Sequence, residues 1–322
     1  MSNRLVNSSA TNEPHLQRNN QLMLARTYFA VQGVGGLLWW FAVFVSPTVT
    51  MLTLGDLPPL LLAWFDIPLF ALASLLIACN IRAALWVAIP WTWLMTGLML
   101  VYALISTNAG WGALIMLAAS FASGAAGLVL WFGRFPSQWF ASGPFRFRTA
   151  RSKRTRAHIR QTFAQLLCFW FVFLALFPSL IIFAEHRFAV HVSFADWVRL
   201  TGYVLLLLAS ALGVWSATIM AKLGQGTPLP SAMPQYLVVR GPYRYVRNPM
   251  AVAGIVQGVS VGLIANSWLI ILYSLSGSII WNLIVRPLEE RDLEEKFGES
   301  FTRYCAEVSC WLPKFRHTSK RG

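Results

Sequence analysis

Residues 235–249 read QYLVVRGPYRYVRNP, and this arginine-rich stretch lies between two strongly apolar regions of the chain. A second polar block, RPLEERDLEEKFG, follows at residues 286–298. The 38 residues from Asn248 to Val285 contain no Asp, Glu, Lys or Arg. A run of that length is enough for two short membrane-crossing helices, since about 20 residues span the hydrocarbon core. The pattern predicts a membrane hairpin that returns both polar blocks to one face of the bilayer, where they form a composite site.

The composition is typical of a membrane protein. Of the 322 residues, 57% are hydrophobic and 12% are charged, against about 25% charged residues in a soluble domain. The 15 Trp and 22 Phe residues fit the aromatic belts that anchor spans at both interfaces. The four cysteines form no Cys-x-x-Cys pair and have no histidine at zinc spacing. The sequence therefore predicts neither a metal site nor a disulfide framework.

Long uncharged runs predict eight transmembrane helices, hence an all-α integral membrane protein with a short C-terminal helical hairpin. The 51 uncharged residues from 83 to 133 are too many for one helix, and the polar cluster at 106–110 divides them. The predicted spans are 27–45, 60–81, 84–105, 111–133, 161–184, 198–221, 249–265 and 268–285. An amphipathic helix is expected from Leu288 to about Val308, since Leu293 and Phe297 share one helical face.

The same pattern predicts five segments along the chain. They are a disordered N-terminus at 1–26, a four-span unit at 27–133, a basic linker at 134–160, a second four-span unit at 161–315 and a basic tail at 316–322.

The positive charges predict the orientation of these spans. With eight spans, all of the 26 Lys and Arg residues except Arg187 and Arg199 fall on the side that holds both termini. The positive-inside rule makes that side cytoplasmic. The net charge of +14 then reflects topology and attraction to anionic lipids, and binding to nucleic acid is not expected.

Taken together, the two polar blocks resemble the membrane methyltransferase family that includes isoprenylcysteine carboxyl methyltransferase and phosphatidylethanolamine N-methyltransferase. The resemblance covers residues 200–315, about a third of the chain. The matching residues are Leu237-Val238, Gly241 to Met250, Glu289-Glu290, Leu293, Phe297-Gly298, Tyr304, Val308 and Trp311-Leu312-Pro313. Residues Gly224 to Pro228 are similar to the turn that precedes the loop in this family.

This resemblance implies that S-adenosylmethionine binds at the cytoplasmic face and that its methyl group passes to a lipophilic acceptor: an isoprenoid, a lipid or a small hydrophobic molecule. It implies cofactor contacts from Gln235, Tyr236, Leu237, Val238, Tyr243, Asn248, Pro249, Met250, Ala251 and Glu289. It also implies that Arg247 and Glu290 are the catalytic residues, that no metal is needed, and that the protein resides in a bacterial cytoplasmic membrane. A carboxylate suits the ammonium group of the cofactor, and aromatic rings suit its adenine or sulfonium.

Several positions depart from the family motif. Ala251 and Ala253 stand where the family has Tyr and Gly, Arg291 replaces a proline, and Ser309-Cys310 replaces Pro-Arg. The missing tyrosine removes an expected cofactor contact, and the missing late arginine removes an expected acceptor contact.

Other interpretations of the two blocks remain open. Each block alone also fits an ordinary membrane protein. Residues 235–249 could be a loop whose arginines set the orientation of the spans, and residues 286–298 could be the solvated start of a helix, where Glu is favoured. A membrane reductase using NADPH is one functional alternative, because sterol-reductase-like proteins resemble the same C-terminal core. A catalytically inactive lipid-binding or scaffold protein is the other, and the departures from the motif favour it.

Asp66 is an unusual residue in the second predicted span. A carboxylate at membrane depth costs at least ~2.5 kcal/mol, so such a residue generally faces a partner or a wet cavity. The alternative is a position near the interface, because the Pro58-Pro59 loop is close in sequence.

Overall fold

The computed structural model describes residues 7–133, 163–224 and 234–313, with side chains from residue 19 onward. Every regular element in those ranges is helical, which confirms the all-α fold class. Seven of these helices are long and apolar enough to cross a membrane: Asn19–Val45, Pro59–Ala78, Arg82–Ser106, Gly110–Phe132, Phe163–Arg187, Asp196–Gly224 and Trp268–Phe297. The eighth predicted span is the shorter apolar helix Pro249–Ile264, so the count of eight stays a prediction.

The first compact unit comprises, in its described part, residues 7–133 and 186–190. Its helices are α1 (Asn7–Val45), α2 (Pro47–Thr53), α3 (Pro59–Asp66), α4 (Ala73–Ala78), α5 (Leu85–Ser106) and α6 (Gly110–Phe132). Phe29 of α1, Ile77 of α4 and Leu85 of α5 form part of its buried core. Close packing of α6 on α2 requires glycine, because a Cβ atom on Gly112 would lie 1.9 Å from the carbonyl oxygen of Thr53.

A π-helical segment, Ile67–Leu72, joins α3 to α4 within one membrane-length helix. Pro68 lies in this segment, and proline lacks the N–H that a regular α-helical turn would use. The wider turn lets the helix continue past the proline, immediately after Asp66.

The second compact unit comprises, in its described part, residues 163–185, 191–224 and 234–313. Its helices are α7 (Phe177–Arg187, of which residues 186–187 are assigned to the first unit), α8 (Asp196–Ile219), α9 (Pro249–Ile264), α10 (Trp268–Ile280), α11 (Arg286–Phe297) and α12 (Glu299–Glu307). Another π-helical segment, Trp281–Val285, joins α10 to α11. The last span and the second polar block therefore form one continuous helix, Trp268–Phe297.

The predicted hairpin turn lies between α9 and α10. Asn266 has a φ of 55°, a left-handed conformation that asparagine tolerates better than most residues. Ser267 caps α10, since its Oγ accepts a hydrogen bond from the backbone N–H of Ile270 at 3.2 Å. The two helices pack tightly, because a Cβ on Gly258 would lie 2.4 Å from the Oγ of Ser274.

Two local predictions differ from the structure. Helix α1 begins at Asn7, so residues 7–26 are helical, because Leu, Gln, Arg, Met and Ala in this segment are good helix formers. The amphipathic helix predicted from Leu288 to Val308 is two helices, α11 and α12. Gly298 separates them with a φ of 53° and a ψ of −131°, a conformation that is essentially restricted to glycine.

The orientation predicted from charge is testable with single-cysteine variants. We expect a cysteine at Ser152, in the basic linker outside the described residues, to react with a membrane-impermeant thiol reagent only from the cytoplasm. A cysteine at Ser193, between α7 and α8, should react only from the opposite side. Labelling of the Ser193 variant from the cytoplasm contradicts the eight-span topology, as does labelling of the Ser152 variant from outside.

Candidate functional site

The first half of the arginine-rich loop is fixed to the end of the α8 span. The backbone N–H of Gln235 donates to the carbonyl oxygen of Gly224 at 2.6 Å. Val238 is buried, and a Cβ on Gly224 would lie 3.0 Å from its Cγ2. The small residue at 224 thus lets the loop return closely against the helix that precedes it.

The Gly241–Arg244 segment forms a 3₁₀ turn that buries Tyr243. Gly241 has a φ of 60°, which favours glycine, and Pro242 restricts the next residue. Tyr243 is 5% exposed, and its carbonyl oxygen accepts a hydrogen bond of 2.6 Å from the hydroxyl of Tyr304. Helix α12 is therefore fixed to the turn by a buried hydrogen bond.

The end of the loop pairs with the segment after α12 through backbone groups. The N–H of Arg247 donates to the carbonyl of Ser309 at 2.9 Å, and the N–H of Asn248 to that of Cys310 at 3.4 Å. The side chain of Asn248 also caps α9, because its Oδ1 accepts from the N–H of Ala251 at 3.3 Å. Residue 248 thus connects the loop, the C-terminal segment and the hairpin.

The two adjacent glutamates of α11 have different surroundings. Glu290 Oε1 lies 3.2 Å from Arg247 Nη2 and 3.8 Å from Arg286 Nε. Arg286 also donates to the side chain of Asn282 at 2.9 Å, and Trp311 Nε1 donates to the same oxygen at 2.9 Å. Glu290 therefore belongs to a network that links the loop, the last span and the C-terminal segment.

Glu289 is partly buried and accepts no hydrogen bond and forms no ion pair with a residue that the structure describes. Burial raises the pKa of the Tyr243 hydroxyl, and the negative charge of Glu289 raises it further. The phenol therefore stays protonated at neutral pH. The site holds a carboxylate without a described cation next to a buried, neutral tyrosine.

Burial also raises the pKa values of three other groups around the loop. They are the Tyr304 hydroxyl and the thiols of Cys305 and Cys310, and the positive charge of Arg247 acts in the opposite direction on each of them. All three groups stay neutral at pH 7, so Glu290 is the one anionic partner of Arg247 among the residues that the structure describes.

The structure brings together five of the predicted site residues: Tyr243, Arg247, Asn248, Glu289 and Glu290. The other predicted cofactor contacts lie along the same loop and the first turn of α9; these are Gln235, Tyr236, Leu237, Val238, Pro249, Met250 and Ala251. Tyr236 is 58% exposed, and the contacts of the described residues do not connect it to the glutamates. Its proposed role depends on a bound molecule.

The parts of the network that use Asn282 and the backbone of residues 309–310 were not predicted from the sequence. Asn282 is a polar side chain within an otherwise apolar run, and this was an available signal, because such a residue needs a hydrogen-bond partner in a membrane. The contacts made by the carbonyl groups of residues 309 and 310 could not be predicted from the sequence, because every residue type carries a backbone carbonyl.

The substitution of alanine for the family glycine at position 253 is accommodated by helix α8. Ala253 is 1% exposed, and a Cβ built on Gly213 would lie 3.5 Å from the Ala253 Cβ. A glycine on the facing helix thus leaves room for the extra methyl group.

These features define an integral membrane protein with a carboxylate site between a rigid polar loop and the extension of its last span. Residues 197–300 match the family model for phospholipid methyltransferase. This match confirms the resemblance found in the sequence, and it covers about a third of the chain.

Comparison with solved structures gives a weaker similarity. The structure of the eukaryotic intramembrane Ras methyltransferase ICMT, isoprenylcysteine carboxyl methyltransferase, solved without a monobody, aligns with 92% of this chain and 97% of its own. The identity is 16% and the TM-score is 0.30, a value that does not establish a common fold. No curated protein matches the chain.

Proposed function

We propose that the second unit transfers a methyl group from S-adenosylmethionine to a lipophilic acceptor at the cytoplasmic membrane face. The observation that carries this proposal is the carboxylate of Glu289, which has no described cationic partner although Arg247 and Arg286 are both close to its neighbour Glu290. A carboxylate left in this state fits the ammonium group of the amino-acid end of the cofactor. The family match over residues 197–300 supports the same chemistry.

The residues of the loop serve to bind and orient. Glu289 would accept charge-assisted hydrogen bonds from the ammonium group, which are about twice as strong as neutral ones. The Nε–H of Arg247 is buried and has no hydrogen-bond partner among the described residues, so it is available to a carboxylate or to an acceptor oxygen of a bound molecule. S-adenosylmethionine supplies a methyl group that is already activated, and the protein mainly aligns the two reactants and excludes water.

The proposed roles of Arg247 and Glu290 follow from their pairing. Glu290 holds the guanidinium at 3.2 Å, and the backbone of Arg247 is bound to Ser309. Both ends of this residue are therefore positioned before any substrate arrives. We assign Arg247 to direct contact with the reactants and Glu290 to holding it in place.

The lipophilic class of the acceptor is supported by the surroundings of the site. The loop leads directly into α9, a 16-residue apolar helix, and α11 is the direct extension of the last span. An acceptor partitioned into the bilayer would reach the glutamates along these helices without entering water.

A test that separates the candidate functions is isothermal titration of the purified full-length chain with S-adenosylmethionine and, separately, with NADPH. We expect saturable binding of S-adenosylmethionine and none of NADPH. Binding of NADPH alone would support the reductase, which needs cations free to meet its phosphates. Binding of neither would support an inactive lipid-binding or scaffold protein, in agreement with the loss of the family tyrosine at Ala251.

A further inference from the structure

The first unit contains a cavity that the methyl-transfer proposal does not use. Its volume is about 470 Å³, within the range of roughly 300–1,000 Å³ that is usual for small-molecule sites. Helices α1 and α6 contribute most of its walls, α5 adds Met95 and Met99, and the exposed lining is almost entirely apolar. The cavity therefore suits a hydrophobic molecule, apart from one charged group in its wall.

That group is Asp66, which is 6% exposed. Its Oδ2 accepts a hydrogen bond from Trp40 Nε1 at 2.8 Å, and its Oδ1 accepts one from Trp91 Nε1, also at 2.8 Å. The carboxylate is therefore enclosed by protein, as expected of a residue that faces a partner. Two indole donors fix its orientation, and both come from neutral side chains.

The described residues that line the cavity include no Lys, Arg or His. Each carboxylate oxygen accepts one of these indole hydrogen bonds and keeps further lone-pair capacity. A buried carboxylate that meets no positive charge takes up a proton, because burial of the ionised form is costly. A cationic ligand would complete this site by holding the carboxylate in its ionised form.

Aromatic rings surround the same space. Tyr28, Trp39 and Trp40 all line the cavity, and rings of this kind attract cationic head groups through their faces. The indole N–H of Trp39 is buried and has no hydrogen-bond partner in the described part of the chain. A carboxylate and several aromatic rings thus line one apolar cavity.

We propose that the cavity of the first unit binds a lipophilic amine, with the ammonium group at Asp66 and the hydrocarbon part against α1, α5 and α6. The apolar lining selects the hydrocarbon part, and the fixed carboxylate selects the charge. The π-helical segment that follows Asp66 agrees with this assignment, because such segments are frequent at functional sites.

A purely structural role for Asp66 makes a different prediction. In that case the carboxylate only joins the indoles of α1 and α5, and its replacement changes stability without changing any selectivity for amines. Measurements of ligand preference therefore separate the two roles where a stability measurement would not.

The chain offers two glycines that make a matched pair of variants. Gly35 lines the cavity, Gly97 is outside the set of lining residues, and a Cβ on either one meets nothing within 4 Å. Both lie inside helices of the first unit. Gly35→Leu should fill the cavity, whereas Gly97→Leu adds the same side chain at a comparable place outside it.

The experiment uses photoreactive dodecylamine and photoreactive dodecanol of the same chain length. The full-length protein is placed in nanodiscs of phosphatidylcholine, a lipid without net charge or a protonatable amine, and the labelled peptides are mapped and quantified by mass spectrometry. We expect saturable amine labelling of α1 and α6 at a concentration about tenfold or more below that of the alcohol. Asp66→Asn should remove this preference and leave alcohol labelling within about threefold of the parent.

Gly35→Leu should reduce labelling by both probes, and Gly97→Leu by neither. Equal labelling by the two probes in the parent protein overturns the proposal, because the cavity then takes alkyl chains without regard to charge. An amine preference that persists in Asp66→Asn overturns it as well. If Asp66→Asn does not fold, amine labelling that is unchanged by Gly35→Leu is sufficient to reject the site.

Discussion

Replacement of Glu289 by glutamine is expected to weaken S-adenosylmethionine binding about ten- to a hundredfold. A hydrogen bond to a charged group contributes about 1.5–3 kcal/mol, and glutamine keeps the size of the side chain while it removes the charge. Glu289 has no described cation beside it, so its carboxyl group is available to the ammonium group. Isothermal titration of the purified full-length variant measures the change in Kd directly.

Glu295→Gln is the matched control, because Glu295 is an exposed carboxylate on the same helix. It should change the Kd by less than about threefold, since exposed charges interact weakly through water. Ala251→Tyr, which restores the family residue, should leave the affinity equal or improve it. A Glu289→Gln variant that binds the cofactor as tightly as the parent removes the main support for the methyl-transfer proposal.

Most of the fold was predictable, because long uncharged runs in the sequence identify the segments that cross the bilayer. The uncharged run from Asn248 to Val285 predicted the hairpin, and Asn266-Ser267 predicted the position of its turn. Local backbone geometry was less accessible. The start of α1 at Asn7 and the π-helical turn after Asp66 depend on backbone hydrogen bonding, which hydropathy does not record.

The sequence predicted that the two polar blocks form one site. It did not predict which of the two adjacent glutamates pairs with Arg247. Consecutive residues on an α-helix point about 100° apart, so only one of two adjacent glutamates can meet Arg247 well. The sequence does not say which one, because that depends on where the loop crosses the helix. In the structure Glu290 forms the ion pair with Arg247, and Glu289 remains available to other partners.

The structural effect of Ser309-Cys310 in place of the family Pro-Arg was also not predictable from the sequence. The loss of Pro-Arg there suggested a weakened site, yet this segment meets the loop through its carbonyl groups. Contacts of that kind depend little on side-chain identity, so the substitution leaves them in place. What the family arginine contributes beyond the backbone is not replaced by Cys310, whose thiol stays neutral because burial raises its pKa.

Removal of either member of the Arg247–Glu290 pair should loosen the loop. Arg247 is bound twice, through its guanidinium to Glu290 at 3.2 Å and through its N–H to Ser309 at 2.9 Å. Loss of a charge-assisted hydrogen bond worth about 1.5–3 kcal/mol should speed hydrogen exchange of the 247 and 248 amides about ten- to a hundredfold. Arg247→Met and Glu290→Gln are the variants, and exchange followed by mass spectrometry is the measurement.

The double variant decides whether the two residues act together. If Glu290 only holds Arg247, the combined substitution should be no worse than the more severe single one, because residues that share an interaction are not additive. Arg244→Met is the control, since Arg244 is an exposed arginine of the same loop and should change exchange by less than about threefold. If exchange is fast in Arg247→Met but as slow in Glu290→Gln as in the parent protein, the ion pair with Glu290 is not the contact that holds the loop. Arg247 would then be held through Cys305, the other side chain that hydrogen-bonds its guanidinium, and Glu290 would be free for a direct part in the reaction.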